Sequence, residues 1–457
     1  MYVRSERLKN WLAGLMLLVM VLCPLSVAKN ANAAEAQPET FKVGQILTLS
    51  GPMAVMGLLE KDGLMIAIED LNKNGGVMIQ GKKRLIEPIF YDDEASPKKA
   101  VDAAYSLINK DKVKVIVGLR MNEAIEAVQQ ITEKKKIFVI TCLASYPGVF
   151  LGKKYGVLLG DSGWTEAVSM VRFLTDKPEK LIKAGIDPKI DKRYDFRNKK
   201  IAYWGRDEMY CVYSDLGAKD AIAEFGKKLG LKYTGGTMYP IGTTDVSPYV
   251  QRMMAAKPDI IYNGLYLYEE ELKLMRALKE MGYDLGPNGN LLMINTNDDF
   301  NHAHIMDPLL KEGFNLKGNL STGQDMPDEI APNYPIRAAF INKMMAKHKR
   351  MPSLLEDGGY DQMLFLAKAV EKANTLTDTD KIKAAMLSLS VDGVRGPNQQ
   401  FVTPKNVPAL GKYVNQANLP HYARVVVDKN KVKYLGWSYG PELYWGAGVG
   451  GSKVLTK

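Results

Sequence analysis

The sequence predicts an α/β protein with two doubly wound parallel sheets, and three observations carry that expectation. Short apolar runs alternate with helix-period patterns from Phe41 to Gly118. The rhythm breaks across the charged stretch 176–200, then restarts at Lys200 and continues to Asn295. Asn-Gly clusters and a Ser-Pro pair punctuate the points where helices should stop and start.

The first apolar run, Val43 to Leu49, opens into the loop Leu49-Ser50-Gly51-Pro52-Met53-Ala54-Val55-Met56-Gly57. A helix follows with Leu64, Met65, Ile68 and Leu71 on one face. It ends at Asn72-Lys73-Asn74-Gly75-Gly76, where Asn and Gly can take the left-handed conformation of a C-cap. The run Leu85 to Tyr91 comes next, then Ser96 as N-cap with Pro97 as first helical residue, a helix to Lys110, and the run Val113 to Gly118. Strand, helix, strand, helix, strand implies parallel pairing with right-handed crossovers. Ligands of such sheets sit at the carboxyl ends of the strands. Here those ends are Ser50-Gly51-Pro52 and Gly118-Leu119-Arg120-Met121-Asn122.

A helix is expected from about Glu123 to Lys135, then a strand from Ile137 to Thr141 opening into Leu143-Ala144-Ser145-Tyr146-Pro147-Gly148. The run Tyr155 to Leu159 leads through Asp161-Ser162-Gly163 into a helix beginning near Trp164. Residues 176–200 read as a surface excursion because they are so heavily charged. The second series has strands at Ile201 to Trp204, Lys232 to Tyr239, Pro258 to Tyr262 and Leu291 to Asn295. Its helices run from Tyr210 to Leu229, from the turn Gly242-Thr243-Thr244-Asp245 to Ala256, and from Glu269 to Met281. Helices at Pro335 to Lys349, Gly359 to Ala373 and Asp380 to Leu389 follow, with strands near Phe401, Arg424 to Val427 and Val432 to Leu435.

The chain has 457 residues, which suits two domains better than one core. A hydrophobic content of 46% and a charged content of 25% are those of an ordinary globular protein. Residues 1–33 read as a secretory signal peptide: Arg4, Arg7 and Lys9, an apolar stretch from Trp11 to Val21, Pro24, then Ala31-Asn32-Ala33. The apolar stretch is short for a bilayer core of about 30 Å, so a retained anchor fits less well. A lipoprotein reading would use Cys23, but Leu22 before it is large where that processing prefers a small residue. Cleavage after Ala33 removes four basic residues and one acidic residue, reducing the net charge from +10 to +7. Spread along the chain, that charge is no nucleic-acid footprint. Cys142 and Cys211 remain, placed in different predicted domains and read as buried free thiols rather than a disulfide.

The ordered set of short motifs is similar to one known family. Its marks are Ser50-Gly51-Pro52, Asn72 to Gly76, Tyr91-Asp92-Asp93 with Ser96-Pro97, and Val115-Ile116-Val117-Gly118. The second half adds Asp207 with Tyr210, Tyr239-Pro240 with Thr244-Asp245-Val246-Ser247, Lys257-Pro258-Asp259, Tyr360-Asp361 and Gly396-Pro397. From Phe41 to about Tyr439 the chain resembles type I periplasmic solute-binding proteins of the branched-chain amino-acid class, the receptor component of ABC importers. The resemblance implies the type I periplasmic binding protein fold, two lobes joined by three crossing segments and closing on a ligand by hinge motion. It assigns 34–160 and 321–395 to lobe 1, and 161–320 and 396–457 to lobe 2. It further implies a monomeric, periplasmic, non-enzymatic protein without cofactor, whose partners are a small-molecule ligand and the membrane subunits of an ABC permease.

The implied binding residues follow position by position. The family's carboxylate-binding hydroxyl, four residues past the glycine that ends the third strand, falls on Asn122, a departure that no longer specifies an α-carboxylate. Asn122 could equally be a helix N-cap. The clamp before a proline falls on Leu143 and Ser145, and the cleft tyrosine of D-x-x-Y on Tyr210. The strand-end aromatic falls on Tyr266 or Tyr268, and the carboxylate that meets a ligand ammonium near Asp298, with Asp299 or Asn297 beside it. Arg120 would suit an anionic ligand at the cleft mouth, or be a solvated loop residue. Ser50 and Met53 lie in the first loop, where Met53 and Met56 could line an apolar wall. Trp164 could stack on a ligand but reads rather as core.

No G-x-S-x-G, H-E-x-x-H or P-loop occurs, and Gly51 and Gly57 lack dinucleotide spacing. His302 and His304, within the stretch Asp298 to Asp307, match no strong zinc spacing. The rival to a transport receptor is a periplasmic adaptor of the same fold that reports ligand to a signalling partner. The rival to an amino-acid ligand is an aromatic or other small carboxylate.

Overall fold

The computed structural model describes residues 39–51, 53–145, 147–150, 153–265, 268–296, 303–324, 326–327, 330–401, 417–418, 420–427 and 431–439. Two sheets organise them. The first is all parallel, in the order β4 (Ile86–Asp92), β1 (Phe41–Leu47), β5 (Val115–Gly118), β6 (Phe138–Leu143), β7 (Gly156–Asp161). The second has a parallel part in the order β12 (Leu320–Gly323), β11 (Leu292–Asn295), β10 (Ile260–Asn263), β8 (Lys200–Arg206), β9 (Lys232–Tyr239). Beyond β12 it continues as an antiparallel pair, β16 (Pro420–Val426) and β17 (Val432–Tyr439).

Both sheets are wound on two faces, and single strands show why their sequences read as unbroken apolar runs. In β5, Val115 and Val117 enter one core cluster while Ile116 enters the opposite one. Phe138 and Ile140 of β6 oppose Val139 in the same manner. In the second sheet Ile260 and Tyr262 face one layer and Ile261 the other. Alternation with period two, buried on each side, is what a covered parallel strand requires.

One face of the first sheet is covered by α1 (Ala54–Lys73) and α11 (Leu354–Ala373), the other by α2 (Pro97–Asn109) and α3 (Asn122–Lys135). Glycines set the distance between α1 and α11. A Cβ on Gly63 would stand 1.9 Å from the Glu356 carbonyl oxygen, and one on Gly359 would stand 2.3 Å from that of Glu60. Gly63→Ala must separate the two helices, and we expect it to cost about 1–3 kcal/mol in urea unfolding; a neutral result would show that the helices shift freely.

The second sheet carries α4 (Gly163–Leu174), α5 (Pro178–Ala184), α6 (Met209–Glu224), α7 (Ser247–Met254), α8 (Tyr268–Glu280) and α9 (Ala303–Lys311). Beyond it, α10 (Pro335–His348) adds Phe340 and Met344 to the first core, and α12 (Thr379–Leu387) adds Ile382 and Met386. A small antiparallel sheet joins β13 (Ser390–Gly393), β14 (Gly396–Phe401) and β15 (Ala417–Asn418). The hairpin of β2 (Val77–Ile79) and β3 (Lys82–Arg84) was not foreseen. Its strands have three residues each, one of them Lys-Lys-Arg, and only the turn Gln80-Gly81, both at positive φ, could have marked it.

The stretch 176–200 lies largely exposed, as its charge suggested, but it is anchored to the second core. Tyr194 and Phe196 are buried in the second core, and Arg193 is 4% exposed. Arg193 binds Asp191 through Nε and Nη2 and donates to the backbone carbonyls of Leu285, Leu291 and Lys317. Charge count could not show this anchor, because Asp191 and Arg193 are spent on each other and on backbone while the other charges of the stretch stay outside the core.

Candidate functional site

The carboxyl end of β5 turns sharply. Gly118 sits at φ 91° and Leu119 at φ 61°, and a Cβ on Gly118 would meet the Ile46 carbonyl at 2.4 Å. The turn delivers Arg120 and then α3. Asn122 is the first residue of that helix and Met121 its N-cap, so Asn122 does not cap. Its side chain is buried, and its Oδ1 accepts the Ser145 backbone N–H at 3.1 Å. Two of the expected contacts are thereby brought together, from the end of β5 and from the loop after β6. Leu143, half-buried, ends β6 with its carbonyl accepting from Thr141 Oγ1 at 2.9 Å.

Arg120 is not a solvated loop residue. Its side chain is 10% exposed, with Nη1 at 3.8 Å from Glu60 Oε2. Glu60 is fully buried on α1, and its Oε1 accepts from Gln362 Nε2 at 2.8 Å and from Cys142 Sγ at 3.3 Å. Arg120 Nη1 itself has no hydrogen-bond partner among the described residues. Burial, reinforced by the Glu60 charge, pushes the Cys142 thiol well above its ordinary range. Cys142 and Cys211 are both free and buried; burial and then Glu208 raise Cys211 to about 12.

Ser50 is exposed and Met53, just ahead of α1, is 45% exposed. Burial would raise the Asp92 carboxyl, but hydrogen bonds from Ser50, Leu49 and Glu94 outweigh it and hold Asp92 below the usual range. That carboxylate ties the first loop to the end of β4.

At the second sheet, Tyr210 lies in the first turn of α6, half-buried. Its hydroxyl donates to Glu166 Oε2, and its oxygen stands 3.0 Å from Thr296 Oγ1. Thr296, directly after β11, donates to the same Glu166 Oε2 at 2.5 Å. Burial, then the Glu166 charge, keeps the Tyr210 phenol protonated far above its ordinary range. Beneath the neighbouring loops, the side chains of Asn263, Asn295 and Glu271 form a fully buried network at the ends of β10 and β11. Trp164 is core, 6% exposed, with Nε1 donating to Asp220 at 3.2 Å.

Tyr266, Asn297, Asp298, Asp299 and His302 lie outside the described residues; Tyr268 opens α8, and its side chain and that of His304 are likewise outside them. Sequence reasoning missed Glu166, Thr296, Glu60 and Gln362. Thr296 could have been found as the residue after a predicted strand end. The others are helical residues with no local mark. No described helix is long and apolar enough to cross a membrane.

The sequence matches the periplasmic binding protein family over residues 40–418. It is 24% identical over 355 residues to the leucine-, isoleucine-, valine-, threonine- and alanine-binding protein of Pseudomonas aeruginosa, spanning 76% of this chain and 82% of that one. The fold matches a leucine-binding protein from Thermotoga maritima with a TM-score of 0.63 at 20% identity, covering 88% of this chain and 99% of the other. It also matches an ABC-transporter solute-binding protein from Rhodopseudomonas palustris in complex with 3,4-dihydroxybenzoic acid, with a TM-score of 0.61 at 23% identity, covering 89% and 97%. The two wound parallel sheets and the family match over most of the chain agree: this protein belongs to the periplasmic binding protein family.

Proposed function

We propose that the chain is exported, loses residues 1–33, and serves in the periplasm as the monomeric receptor of an ABC importer. Lobe 1 comprises 34–160 and 321–395, lobe 2 comprises 161–320 and 396–457, and the solute bridges them. The observation that carries this reading is the pair of polar clusters at the two carboxyl edges: Asn122, Ser145 and Arg120 on one sheet, Tyr210, Thr296 and Glu166 on the other. Closure follows from the differential affinity of the solute for the closed arrangement, and the closed form docks on the permease. The solute is a branched-chain or other aliphatic amino acid, or a related carboxylate or amide. Leu143 and Ser145 contribute to its clamp, Ser50 and Met53 to the rim, and Tyr266, Tyr268 and Asp298 to the lobe 2 side.

A second ligand class has its own support. Asn122 already takes the Ser145 N–H, and the Arg120 guanidinium keeps an unused donor, which together favour a small carboxylate without an amine. The benzoate-type ligand of one structural neighbour is of that class.

A thermal-shift screen of residues 34–457, refolded to strip bound solute, tests both. Binding to the folded state alone raises Tm with ligand concentration over Kd. Branched-chain amino acids should shift it; a shift only with amine-free acids moves the weight to Arg120. Tyr210→Ala and Ser145→Ala should each weaken binding of the true solute about tenfold, one lost hydrogen bond to a charged or polar partner. Wild-type affinity in both variants would remove these residues from the site. A periplasmic adaptor for signalling would bind the same solute but not stimulate uptake by the permease.

A further inference from the structure

We propose that the excursion between α4 and β8 is a membrane-surface contact, with Ile182 and Ile190 entering an anionic lipid headgroup layer and lysines holding them there. The proposal rests on the receptor reading above, which sets the chain beside a membrane permease, and adds to it a surface remote from the solute.

Length sets this connection apart. It takes 25 residues, 175–199, between Leu174 and Lys200. The other helix-to-strand links of the second sheet take 7 (225–231), 5 (255–259), 11 (281–291) and 8 (312–319). All of them make the same return from a helix end to the amino edge of the sheet, so the crossing itself does not require the extra chain. Long connections in compact domains are uncommon and usually functional. This one is also firmly held. Besides the bonds of Arg193, Tyr194 donates its hydroxyl to the Gly318 carbonyl at 2.9 Å, and Leu181 and Ile186 are buried in the second core. Arg193 and Tyr194 grip the approaches to β11 and β12. The excursion therefore sits at the amino edge, the opposite end of the sheet from Thr296.

The anchored segment turns apolar tips to water. Ile190 is 76% exposed, the most exposed large apolar side chain among the described residues, and Ile182 is 46% exposed. Lys183, Lys189 and Lys192 are exposed and form no ion pair among the described residues. The acids nearby are spent: Asp176 on Lys180 at 3.9 Å, Asp191 on Arg193, Asp195 on Arg197, and Asp187 on the Lys189 backbone N–H at 2.9 Å. Over 176–200, nine basic residues stand against five acidic ones, a net of +4. Aliphatic tips among uncompensated lysines are the composition of an interfacial surface, where apolar groups enter the headgroup boundary and ammonium groups meet anionic lipid. Two isoleucines are too small a patch for a stable protein partner, whose interface takes about 1,000 Å². Tyr194 and Phe196, the aromatic residues of the stretch, are buried, so no platform for nucleic-acid bases is offered.

The test is co-sedimentation of residues 34–457 with vesicles of phosphatidylcholine, alone or mixed equally with phosphatidylglycerol. Wild type is compared with I182S/I190S, K183E/K189E/K192E and, as a charge control on exposed lysines of the first sheet, K134E/K135E/K136E. Wild type should bind the phosphatidylglycerol vesicles and leave phosphatidylcholine alone. I182S/I190S should weaken binding about tenfold, and K183E/K189E/K192E about a hundredfold. The control should change it little, and all variants should keep the wild-type urea midpoint. Wild type that ignores both vesicles or binds them equally overturns the proposal. So does unchanged binding in I182S/I190S or an equal loss in the two lysine variants. A fluorophore on Ile190→Cys gives a second readout, since Cys142 and Cys211 are buried. An environment-sensitive dye there should brighten with phosphatidylglycerol vesicles, and constant emission overturns insertion. Binding only when the permease is reconstituted would assign a protein partner and overturn the lipid one. No solute enters these measurements, so a chain that ignores vesicles yet responds in the thermal-shift screen loses this contact and keeps the receptor reading.

Discussion

Arg395→Met is expected to lower the free energy of unfolding by about 3–5 kcal/mol, measured by urea denaturation. Arg395 is fully buried. Its Nε donates to Asp361 Oδ2 at 3.2 Å, its Nη2 to the Leu159 carbonyl at 2.8 Å, and its Nη1 to Gln324 Oε1 at 3.4 Å. Tyr422 closes the group by donating to the Arg395 carbonyl at 2.9 Å. One guanidinium therefore joins the end of β7, the segment after β12 and the turn between β13 and β14. Methionine fills most of the volume, so the loss is chiefly that of leaving the fully buried Asp361 without its counter-charge. Asp361 still receives the Val394 N–H and Gln399 Nε2, both at 2.8 Å, so the double variant R395M/D361M should recover only part of the deficit. A change under about 1 kcal/mol in R395M would mean that the backbone and Gln399 bonds alone satisfy Asp361.

Arg193→Ala is expected to be as costly, again about 3–5 kcal/mol, for a different reason. It leaves the buried Asp191 carboxylate without its counter-charge, keeping only the residue-193 backbone N–H, and removes the donors for three carbonyls, those of Leu285, Leu291 and Lys317. Those carbonyls belong to segments nearly a hundred or more residues downstream, so the variant detaches 176–200 from the second core rather than softening it locally. The control is Arg197→Ala. Its pair with Asp195 has the same 2.7 Å contact but lies on the surface, with Arg197 74% exposed, and should change the urea midpoint little. Equal effects from the two variants would show that burial is not what distinguishes them.

The elements that sequence reasoning located well are those with strong periodicity at both faces. The run Val113 to Gly118 and the helix ending in Asn-Lys-Asn-Gly-Gly were legible because hydrophobic alternation and cap chemistry are local. The β2–β3 hairpin and the buried anchor of 176–200 were not. Their stability comes from partners distant in sequence, as Glu371 holding the Met78 N–H and Arg193 holding Leu291 illustrate. Tyr210, Asn122 and Ser145 were singled out by position and by family resemblance, and the structure places them at the carboxyl edges of the two sheets. Glu166 was not, because a glutamate in the first turn of a helix is ordinary for the helix dipole, and only the fold brings it to Tyr210 and Thr296.

The sequence by itself determined the two βα series and the family to which the chain belongs, because each is written in local pattern. Tertiary structure decided which charges are buried and what they hold. Arg120 faces Glu60, Arg395 joins three distant segments, and Asn122 takes a backbone N–H from the next loop instead of capping its own helix. The physical reason is that a charged side chain has no periodicity that marks its fate. Whether it is solvated or spent on a buried partner depends on the dielectric around it, which exists only once the sheets and helices have packed.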